Sequence, residues 1–285
     1  MSKGKNPIDR FEKLLTTRWL QILLGCLSII AFVALWVLAS MYLEESGSDK
    51  AVFLPGPRTV ADAFFDSFES LPGLSDPAIG YRVTMWDLIL SSMGRFLSGF
   101  FVAFMLAFPL GLLMGSLKTV ESLGRPIVEI FRPIPPLAWV PIFVLIFGAF
   151  WGPAGIVFLG AFFPILINVI FGVKSVDVTL IDAARTLGAK RSDIFLKVVV
   201  PATVPYLMTG VKIGLGVAWM CIVAAEFIGI QGGTGLGYWL SLSSMTYGLY
   251  PYTYAAMIMI AILSTLTTGL AGLLEQRFYK WSGMK

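Results

Sequence analysis

The chain has 285 residues, of which 57% are hydrophobic and only 13% are charged, a composition typical of a membrane protein rather than of a soluble domain. It contains no histidine and its two cysteines, Cys26 and Cys221, lie within apolar runs, so a histidine-based triad is excluded and a disulfide framework or a Cys/His metal site is disfavoured. The net charge of +4 does not indicate a nucleic-acid partner, because the basic residues cluster at the ends of apolar runs.

At the start of the chain, residues 1–19 place apolar side chains at helical spacing opposite charged ones. This pattern predicts a short interfacial helix on the cytoplasmic leaflet, with a disordered basic leader as the alternative. The apolar segment 20–43 that follows is longer than the h-region of a signal peptide and has no small-x-small cleavage site. We therefore expect it to be the first membrane span.

The polar stretch 44–89 is predicted to be an external loop with structure of its own. Leu54-Pro55-Gly56-Pro57 is typical of a turn, and Thr59 is predicted to cap a helix after it. The apolar face of that helix consists of Val60, Phe64, Phe68 and Leu71. This face is expected to rest on the outer leaflet or to meet a partner protein.

Five further apolar segments follow, and most supply the roughly 20 residues that cross a hydrocarbon core. They are 90–116, 137–150, 154–173, 206–230 and 254–274. The segment 137–150 would give only about 21 Å of helix, and it ends at Trp151-Gly152-Pro153. Because no charge interrupts 137–173, we predict a tight hairpin of one short and one full helix. A single bent helix is the alternative.

The distribution of lysine and arginine favours the hairpin. With six spans and a cytoplasmic N-terminus, the cytoplasmic pieces are 1–19, 117–136, 174–205 and 275–285, and they hold most of the 21 basic residues. A five-span chain would divide these basic loops between the two sides of the membrane. The prediction is an all-α membrane protein with six transmembrane helices and with both termini in the cytoplasm.

Residues 182–201 carry the most specific motif. In one-letter form the stretch is D-A-A-x3-G-x9-V-x-V-P, which resembles the E-A-A-x3-G-x9-I-x-L-P loop of bacterial ABC-importer permeases. The departures are conservative: Asp182 for Glu, Val198 for Ile and Val200 for Leu. The resemblance implies a type I ABC importer permease with a core at 90–274, whose coupling loop 174–205, between spans four and five, docks onto an ATPase subunit.

Local signals suggest how this loop folds. Thr179 and Asp182 have the spacing of a capping box, Gly188 suits a helix C-terminus, Ser192 can cap a second helix, and Pro201 can start the next span. An ordinary cytoplasmic loop is the alternative. The residues assigned to coupling are Asp182, Ala183, Ala184, Arg185, Gly188, Ala189, Lys190, Arg191, Ser192 and Pro201.

Further strings resemble the permease branch for nitrate, sulfonate, taurine and bicarbonate, with the cyanobacterial-type nitrate permease foremost. They are Leu54-Pro55-Gly56-Pro57, Ser91-Ser92-Met93-Gly94-Arg95-Phe96-Leu97-Ser98-Gly99-Phe100, Arg132-Pro133-Ile134-Pro135-Pro136, Ala225-Glu226 and Gly235-Leu236-Gly237-Tyr238. The resemblance implies a bacterial inner-membrane permease that imports nitrate or nitrite by alternating access, or bicarbonate, sulfonate or taurine instead. It also implies a second permease copy, two ATPase subunits, and an external solute-binding protein or lipoprotein.

The chain itself is expected to be non-catalytic. It has no G-x-x-x-x-G-K-[ST] loop, so ATP and Mg would be bound by the partner ATPases and no cofactor by this chain. An ion-gradient-driven secondary transporter is the rival function, but neither an internal repeat nor a set of membrane carboxylates supports it. A membrane-embedded enzyme lacks the residues for a catalytic constellation.

Three charges fall within the predicted spans: Arg95, Lys212 and Glu226. Each needs a partner or water, because an ionised group at the bilayer centre costs about 2.5–3.5 kcal/mol on insertion scales. Arg95 and Glu226 are predicted at similar depth, which favours a structural ion pair. The alternative makes Arg95, Glu226 and Gly235 parts of an anion path or gate, while Lys212 is expected to extend to the inner interface.

Overall fold

The computed structural model describes residues 18–76, 81–229 and 234–281. The described part contains ten α-helices: α1 Arg18–Glu45, α2 Pro57–Asp66, α3 Met85–Ser116, α4 Lys118–Phe131, α5 Val140–Lys174, α6 Val178–Thr186, α7 Arg191–Ile194, α8 Val200–Gly229, α9 Leu236–Met245 and α10 Tyr250–Trp281. It also has 3-10 helices at Asp49–Phe53 and Pro136–Trp139 and a π-helical turn at Phe195–Val199. The interfacial helix predicted before Arg18 and the tail beyond Trp281 lie outside the described residues.

Five helical stretches in the described part are long and apolar enough to cross a membrane. They are Leu20–Glu45, Met85–Ser116, Pro136–Lys174, Arg191–Ile228 and Tyr250–Arg277. The third is the longest and covers both the third and the fourth apolar segments of the sequence. The number of crossings therefore depends on the path of the chain inside α5.

The chain reverses direction within α5. Gly148 has φ 76° and ψ 179°, which interrupts the helix between the arms 140–147 and 149–174. A methyl group placed on Gly155 would lie 2.3 Å from Cδ1 of Phe143, although 12 residues of straight helix span about 18 Å. Val140 and Ile156 accordingly bury their side chains in one apolar cluster. The predicted hairpin is present, and a single bent helix is excluded.

Helices α3, α5 and α8 form the core of the bundle, and glycines bring them into close contact. A methyl group on Gly111 would lie 2.7 Å from Cβ of Val169, and one on Gly115 would lie 2.6 Å from Cβ of Val173. A methyl group on Gly210 of α8 would likewise lie 2.9 Å from Cβ of Asn168. The spacing of Gly111-x3-Gly115 and of Gly210-x3-Gly214 permits this close packing, since a larger side chain would force the helices apart.

Helix α1 lies at the edge of the bundle with its apolar surface open. None of the residues in its most apolar stretch is buried. Trp36 attaches its C-terminal half, donating from Nε1 to the Pro55 carbonyl at 3.1 Å and stacking on Tyr254 at 6.0 Å between ring centroids. An apolar helix with this exposure requires lipid or another protein chain around it.

The segment between α1 and α3 corrects the expectation that Thr59 caps a helix. Helix α2 begins at Pro57 with Gly56 at its N-cap, so Thr59 lies inside the helix and does not cap it. Proline is favoured at the first helical position because its fixed φ suits the helix and its missing N–H has no intrahelical partner there. A short antiparallel ladder, β1 Ser75–Asp76 with β2 Tyr81–Arg82, lies in the same segment; every other regular element of the described part is helical, in agreement with the all-α prediction.

The apolar face of α2 packs against this chain. Val60 is buried, while Phe64, Phe68 and Leu71 join a cluster with Trp239 of α9 and with residues of α3 and α10. The predicted face is therefore largely covered within the chain, and Phe68 and Leu71 lie after the end of α2 rather than on it. Helix α3 begins at Met85, before the predicted residue 90, because Thr84 and Asp87 form a capping box there.

Helix α4 was not predicted, although its sequence carries the signal. Val120, Gly124, Ile127 and Phe131 recur at helical spacing within 117–136. A methyl group on Gly124 would lie 2.8 Å from Cε of Met114, so α4 folds back onto the end of α3. Helices α3, α4 and α5 line an open apolar groove of about 400 Å³.

Candidate functional site

The 174–205 segment contains two short helices, and the first starts earlier than predicted. Helix α6 begins at Val178, and the Asp177 carboxylate caps it by accepting the Thr179 N–H at 2.9 Å. This hydrogen bond lowers the pKa of Asp177. The capping box predicted for Thr179 and Asp182 is therefore wrong. The Asp182 carboxylate instead accepts from Arg185 at 2.9 Å.

Gly188 ends α6, as predicted. Its φ is 81°, a left-handed conformation that glycine adopts without strain. The Gly188 N–H donates to the Arg185 carbonyl at 2.9 Å, and the Ala189 N–H donates to the Ala184 carbonyl at 3.0 Å. These two bonds form a Schellman motif, which satisfies the last carbonyls of α6 and turns the chain sharply.

The second helix begins at Arg191, after Lys190 in extended conformation with no side-chain cap, so the predicted Ser192 cap is wrong. The helix continues without a break through the π-helical turn Phe195–Val199 into α8. Pro201 is the second residue of α8 and does not start a separate helix. The wider turn accommodates Pro201, because proline lacks the N–H of a regular α-helical bond and crowds the preceding turn.

The tip of this segment is an exposed surface. Of the residues assigned to coupling, Ala184 and Ala189 are half-buried and the others are exposed. Sequence reasoning missed the exposed apolar side chains beside them: Val178, Leu180 and Leu187, the last 88% exposed. An apolar tip ringed by Arg185, Lys190 and Arg191 has the mixed character of a protein-docking surface.

A second group of predicted residues meets at the other end of the bundle. Arg95 of α3 places Nη1 2.8 Å from Oε1 of Glu226 on α8, with side chains that are 4% and 0% exposed. The Ser92 hydroxyl donates to Oε2 of Glu226 at 2.7 Å. The predicted structural ion pair is confirmed. We call Ser92, Arg95, Glu226 and residues 234–237 the ion-pair cluster.

Hydrogen bonds within the ion-pair cluster hold the chain that leads into α9 against α3 and α8. The Leu236 N–H donates to Ser92 Oγ at 2.9 Å, the Gly237 N–H donates to Oε2 of Glu226 at 3.0 Å, and Arg95 also donates to the Thr234 carbonyl. Gly235 has φ 152°, and a methyl group there would lie 2.6 Å from the Glu226 carboxylate. Only glycine fits this contact, which brings Gly235 against the Arg95–Glu226 pair.

The two charges of the ion-pair cluster are paired with each other, so a free anion gains little from them, although Nε of Arg95 is buried without a hydrogen-bond partner among the described residues. The Phe150 ring covers the guanidinium, with its centroid 5.3 Å from Cζ of Arg95. A buried cation already paired with a carboxylate is a weak anion site unless the pair opens. The described residues include no group of three or more His, Cys, Asp or Glu side chains suited to a metal. The arrangement is therefore better suited to holding α3, α8 and the chain before α9 together than to binding a free anion.

Lys212 has a specific partner that the sequence did not reveal. Its Nζ lies 3.4 Å from Oε2 of Glu275, which links α8 to the C-terminal part of α10. Residues 230–233, which precede the described chain at 234–237, lie outside the described residues.

Comparison with known proteins identifies the family. Residues 107–280 match the profile of the binding-protein-dependent transport system inner membrane component. The chain is 39% identical to a putative ABC transporter permease of Methanocaldococcus jannaschii, covering 88% of this chain and 89% of the relative. It is 32% identical to the taurine transport system permease of Escherichia coli, with 94% and 92% coverage.

Two cyanobacterial permeases are also similar. The chain is 31% identical to the bicarbonate transport system permease of Synechococcus elongatus, covering 91% of this chain and 87% of that protein. It is 36% identical to the nitrate import permease of Leptolyngbya laminosa, with 66% and 67% coverage. These relatives confirm the predicted permease branch, and their names do not single out one substrate.

Solved structures support the fold. The inward-facing MetNI methionine ABC transporter matches with a TM-score of 0.54 at 22% identity, covering 68% of this chain and 97% of the matched chain. The family profile covers more than half of the sequence, and its members are transport components rather than enzymes. The chain therefore belongs to the inner membrane components of binding-protein-dependent transport systems, as a multi-pass, non-catalytic permease subunit of an ABC transporter.

Proposed function

We propose that this chain is the membrane-spanning half of an ATP-driven importer for a small oxyanion, with nitrate or nitrite as the first candidate substrate. The observation that carries the proposal is the tip of the 174–205 segment. There, Asp182 and Ala183 of the family-like motif are exposed on α6, and the exposed Gly188 turns the chain from α6 toward α7. An exposed tip of this kind gives a partner ATPase a defined surface to bind and to displace.

Six membrane crossings with both termini in the cytoplasm agree best with the charges and with the hairpin. The reversal at Gly148 divides the longest apolar stretch into two arms that run in opposite directions. Both the 117–136 and the 174–205 segments then lie on the cytoplasmic side with most of the basic residues, as the positive-inside rule requires. The ion-pair cluster lies at the opposite, external end.

The proposed assembly has two permease copies, two ATPase subunits that bind ATP and Mg, and an external solute-binding protein or lipoprotein. The exposed apolar surface of α1 supports contacts with a second copy or with lipid. ATP binding would bring the ATPases together and move the two 174–205 segments with them. The motion would pass directly into α8, because α7, the π-helical turn and α8 form one continuous helix.

The ion-pair cluster is proposed as a latch on the external gate. Its three hydrogen bonds to residues 234–237 hold the chain before α9 against α3 and α8. Relative motion of α3 and α8 would strain all three hydrogen bonds at the same time, because Arg95 and Glu226 are on different helices. The gate would then open as a unit when the bundle changes conformation.

The substrate class follows from chemistry that the relatives' names share. Taurine, bicarbonate and nitrate each carry a group with three oxygens on one central atom. Hydroxyl and backbone N–H groups suffice to replace water around such a group, so the path needs no fixed positive charge. Nitrate is placed first because the strings around Leu54 and Arg95 resemble nitrate permeases.

The test is reconstitution of the complete complex in liposomes, with its nucleotide-binding subunit and solute-binding protein. We expect labelled nitrate uptake that requires ATP and is reduced by excess unlabelled nitrite. Uptake of taurine or bicarbonate instead would reassign the substrate and keep the mechanism. Uptake driven by a proton or sodium gradient without the ATPase would refute the proposed function and support a secondary transporter.

A further inference from the structure

The base of the 174–205 segment is tied to helix α4. Lys174 is the last residue of α5, and its ammonium forms an ion pair with the Glu121 carboxylate in the first turn of α4. The two residues are 53 positions apart. By contrast, the ion pairs described within the 174–205 segment, Arg185–Asp182 and Lys197–Asp193, join residues three or four positions apart.

Helix α4 is itself fixed to the bundle. It follows α3 after one residue, Leu117, and Val120 and Val128 pack against the main apolar cluster. Gly124 lies against Met114, and Gly115 of α3 lies against Val173 beside Lys174. The ends of α3 and α5 and the start of α4 therefore form one packed block.

The 174–205 segment leaves this block through a short connection. Only residues 175–177 separate Lys174 from the start of α6. Helix α6 has no buried residue, so it has little packing of its own against the bundle. A force applied to α6 reaches the bundle by two routes: forward along α7 into α8, and backward through Lys174 into α5.

We propose that Glu121 and Lys174 are positioning residues that make α4 and α3 follow the 174–205 segment when a partner moves it. This inference rests on the proposed function, because it requires an ATPase that pushes on α6. Without the ion pair, a displacement of α6 would still be transmitted to α8. The block formed by the ends of α3 and α5 and the start of α4 would move less with it. Straining the ion-pair cluster requires force on α3 as well as on α8, since the cluster joins the two helices at the far end.

The charges suit this role at neutral pH. The hydrogen bond from Lys174 lowers the pKa of Glu121, so the carboxylate remains ionised and paired. The two side chains are 24% and 44% exposed, and their replacement leaves no uncompensated charge in the apolar core. An exposed pair adds little stability, so its loss would change coupling rather than folding.

The test uses the reconstituted complex and measures both ATP hydrolysis and substrate uptake. Glu121→Lys places two cations together, and Lys174→Glu places two carboxylates together. We expect each variant to bind the ATPase and hydrolyse ATP, while transport per ATP falls about three- to fivefold. The double variant Glu121→Lys/Lys174→Glu restores an opposite pair, and we expect it to recover the ratio.

Glu129 supplies the matched control on the same helix. It pairs locally with Arg125 and both side chains are well exposed, so Glu129→Lys makes the same charge change without touching the link. We expect no change in transport per ATP for this variant. The inference is overturned if the single reversals keep the wild-type ratio, if the double variant stays as low as the singles, or if Glu129→Lys lowers the ratio equally. A wild-type complex without ATP-dependent uptake would instead refute the proposed function.

Discussion

The ion-pair cluster and the 174–205 segment both contain paired charges, but the partners lie at different distances along the sequence. Arg95 and Glu226 are 131 positions apart and buried, whereas Arg185–Asp182 in the 174–205 segment is local and exposed. A buried pair is costly to separate because each charge loses its partner in a medium of low dielectric constant, while an exposed pair exchanges readily with water. The cluster therefore fixes the backbone, and the 174–205 segment leaves its surface available to a partner.

The largest effect is expected where a buried charge loses its partner. Glu226→Ala would leave the Arg95 guanidinium buried without a carboxylate and would free the Gly237 N–H. We expect a loss of about 3–5 kcal/mol in stability. The measurement is the yield and the thermal unfolding temperature of the purified complex in detergent. The matched control, Glu129→Ala, removes one partner of an exposed ion pair and should change neither quantity measurably.

A double variant separates the structural role of the pair from a role in gating. Replacing both charges, as in Arg95→Met with Glu226→Leu, should recover much of the stability, because apolar residues can substitute for a buried ion pair. If Arg95 and Glu226 also act as the latch, this variant should fold but lose control of ATP hydrolysis by the solute-binding protein. Wild-type regulation and uptake in the double variant would contradict the latch.

The next effect concerns the shape of the 174–205 segment. Gly188→Val places a β-branched residue at φ 81° and would strain or open the Schellman turn, at a cost of about 1–3 kcal/mol. The bundle should remain folded, because nothing lies within 4 Å of the added Cβ. We expect co-purification with the ATPase to fall sharply while membrane insertion is unchanged. Gly216→Ala, which also has open space but lies within a helix, is the control; equal losses in both variants would rule out the turn as the cause.

A smaller effect tests the apolar tip directly. Leu187→Asp changes a side chain that is 88% exposed, so the stability of the isolated chain should not change. If the tip docks onto an ATPase, affinity for that subunit should fall about tenfold or more, as for an apolar anchor at an interface. The measurement is a titration of the ATPase subunit against the surface-immobilised permease, which gives the affinity of each variant. Met245→Asp, which changes a side chain that is 76% exposed but lies outside the candidate membrane spans and outside the 174–205 segment, is a comparison that should not weaken ATPase binding.

Sequence reasoning succeeded where one strong physical constraint acts alone. The cost of charges in a membrane predicted the Arg95–Glu226 pair, and the absence of charge over 137–173 predicted the hairpin. The position of the turn was less accurate, because Gly152 and Pro153 are the obvious breakers but the reversal occurs at Gly148. Ser92 could not be assigned, since its partners depend on the path of the chain before α9.

The errors within the 174–205 segment come from competition between similar local signals. Asp177 and Thr179 are both good N-cap residues two positions apart, and the helix uses Asp177. Pro201 resembled a helix start, but the π-helical turn before it allows one helix to continue through. Because α7, the π-helical turn and α8 form one continuous helix, a displacement of α7 would be transmitted directly to α8.

The smallest expected effect involves the cap of α6 and depends on pH. The Thr179 N–H lowers the folded-state pKa of Asp177, so the cap stabilises α6 above the ordinary pKa of an aspartate and is lost as the pH falls through the lowered value. Amide hydrogen exchange at Thr179 should therefore lose protection in acid. Asp177→Asn keeps a side-chain oxygen acceptor that does not titrate, so its protection should not depend on pH. The same acid response in both proteins would show that the cap does not control α6, and would place the pH sensitivity elsewhere in the 174–205 segment.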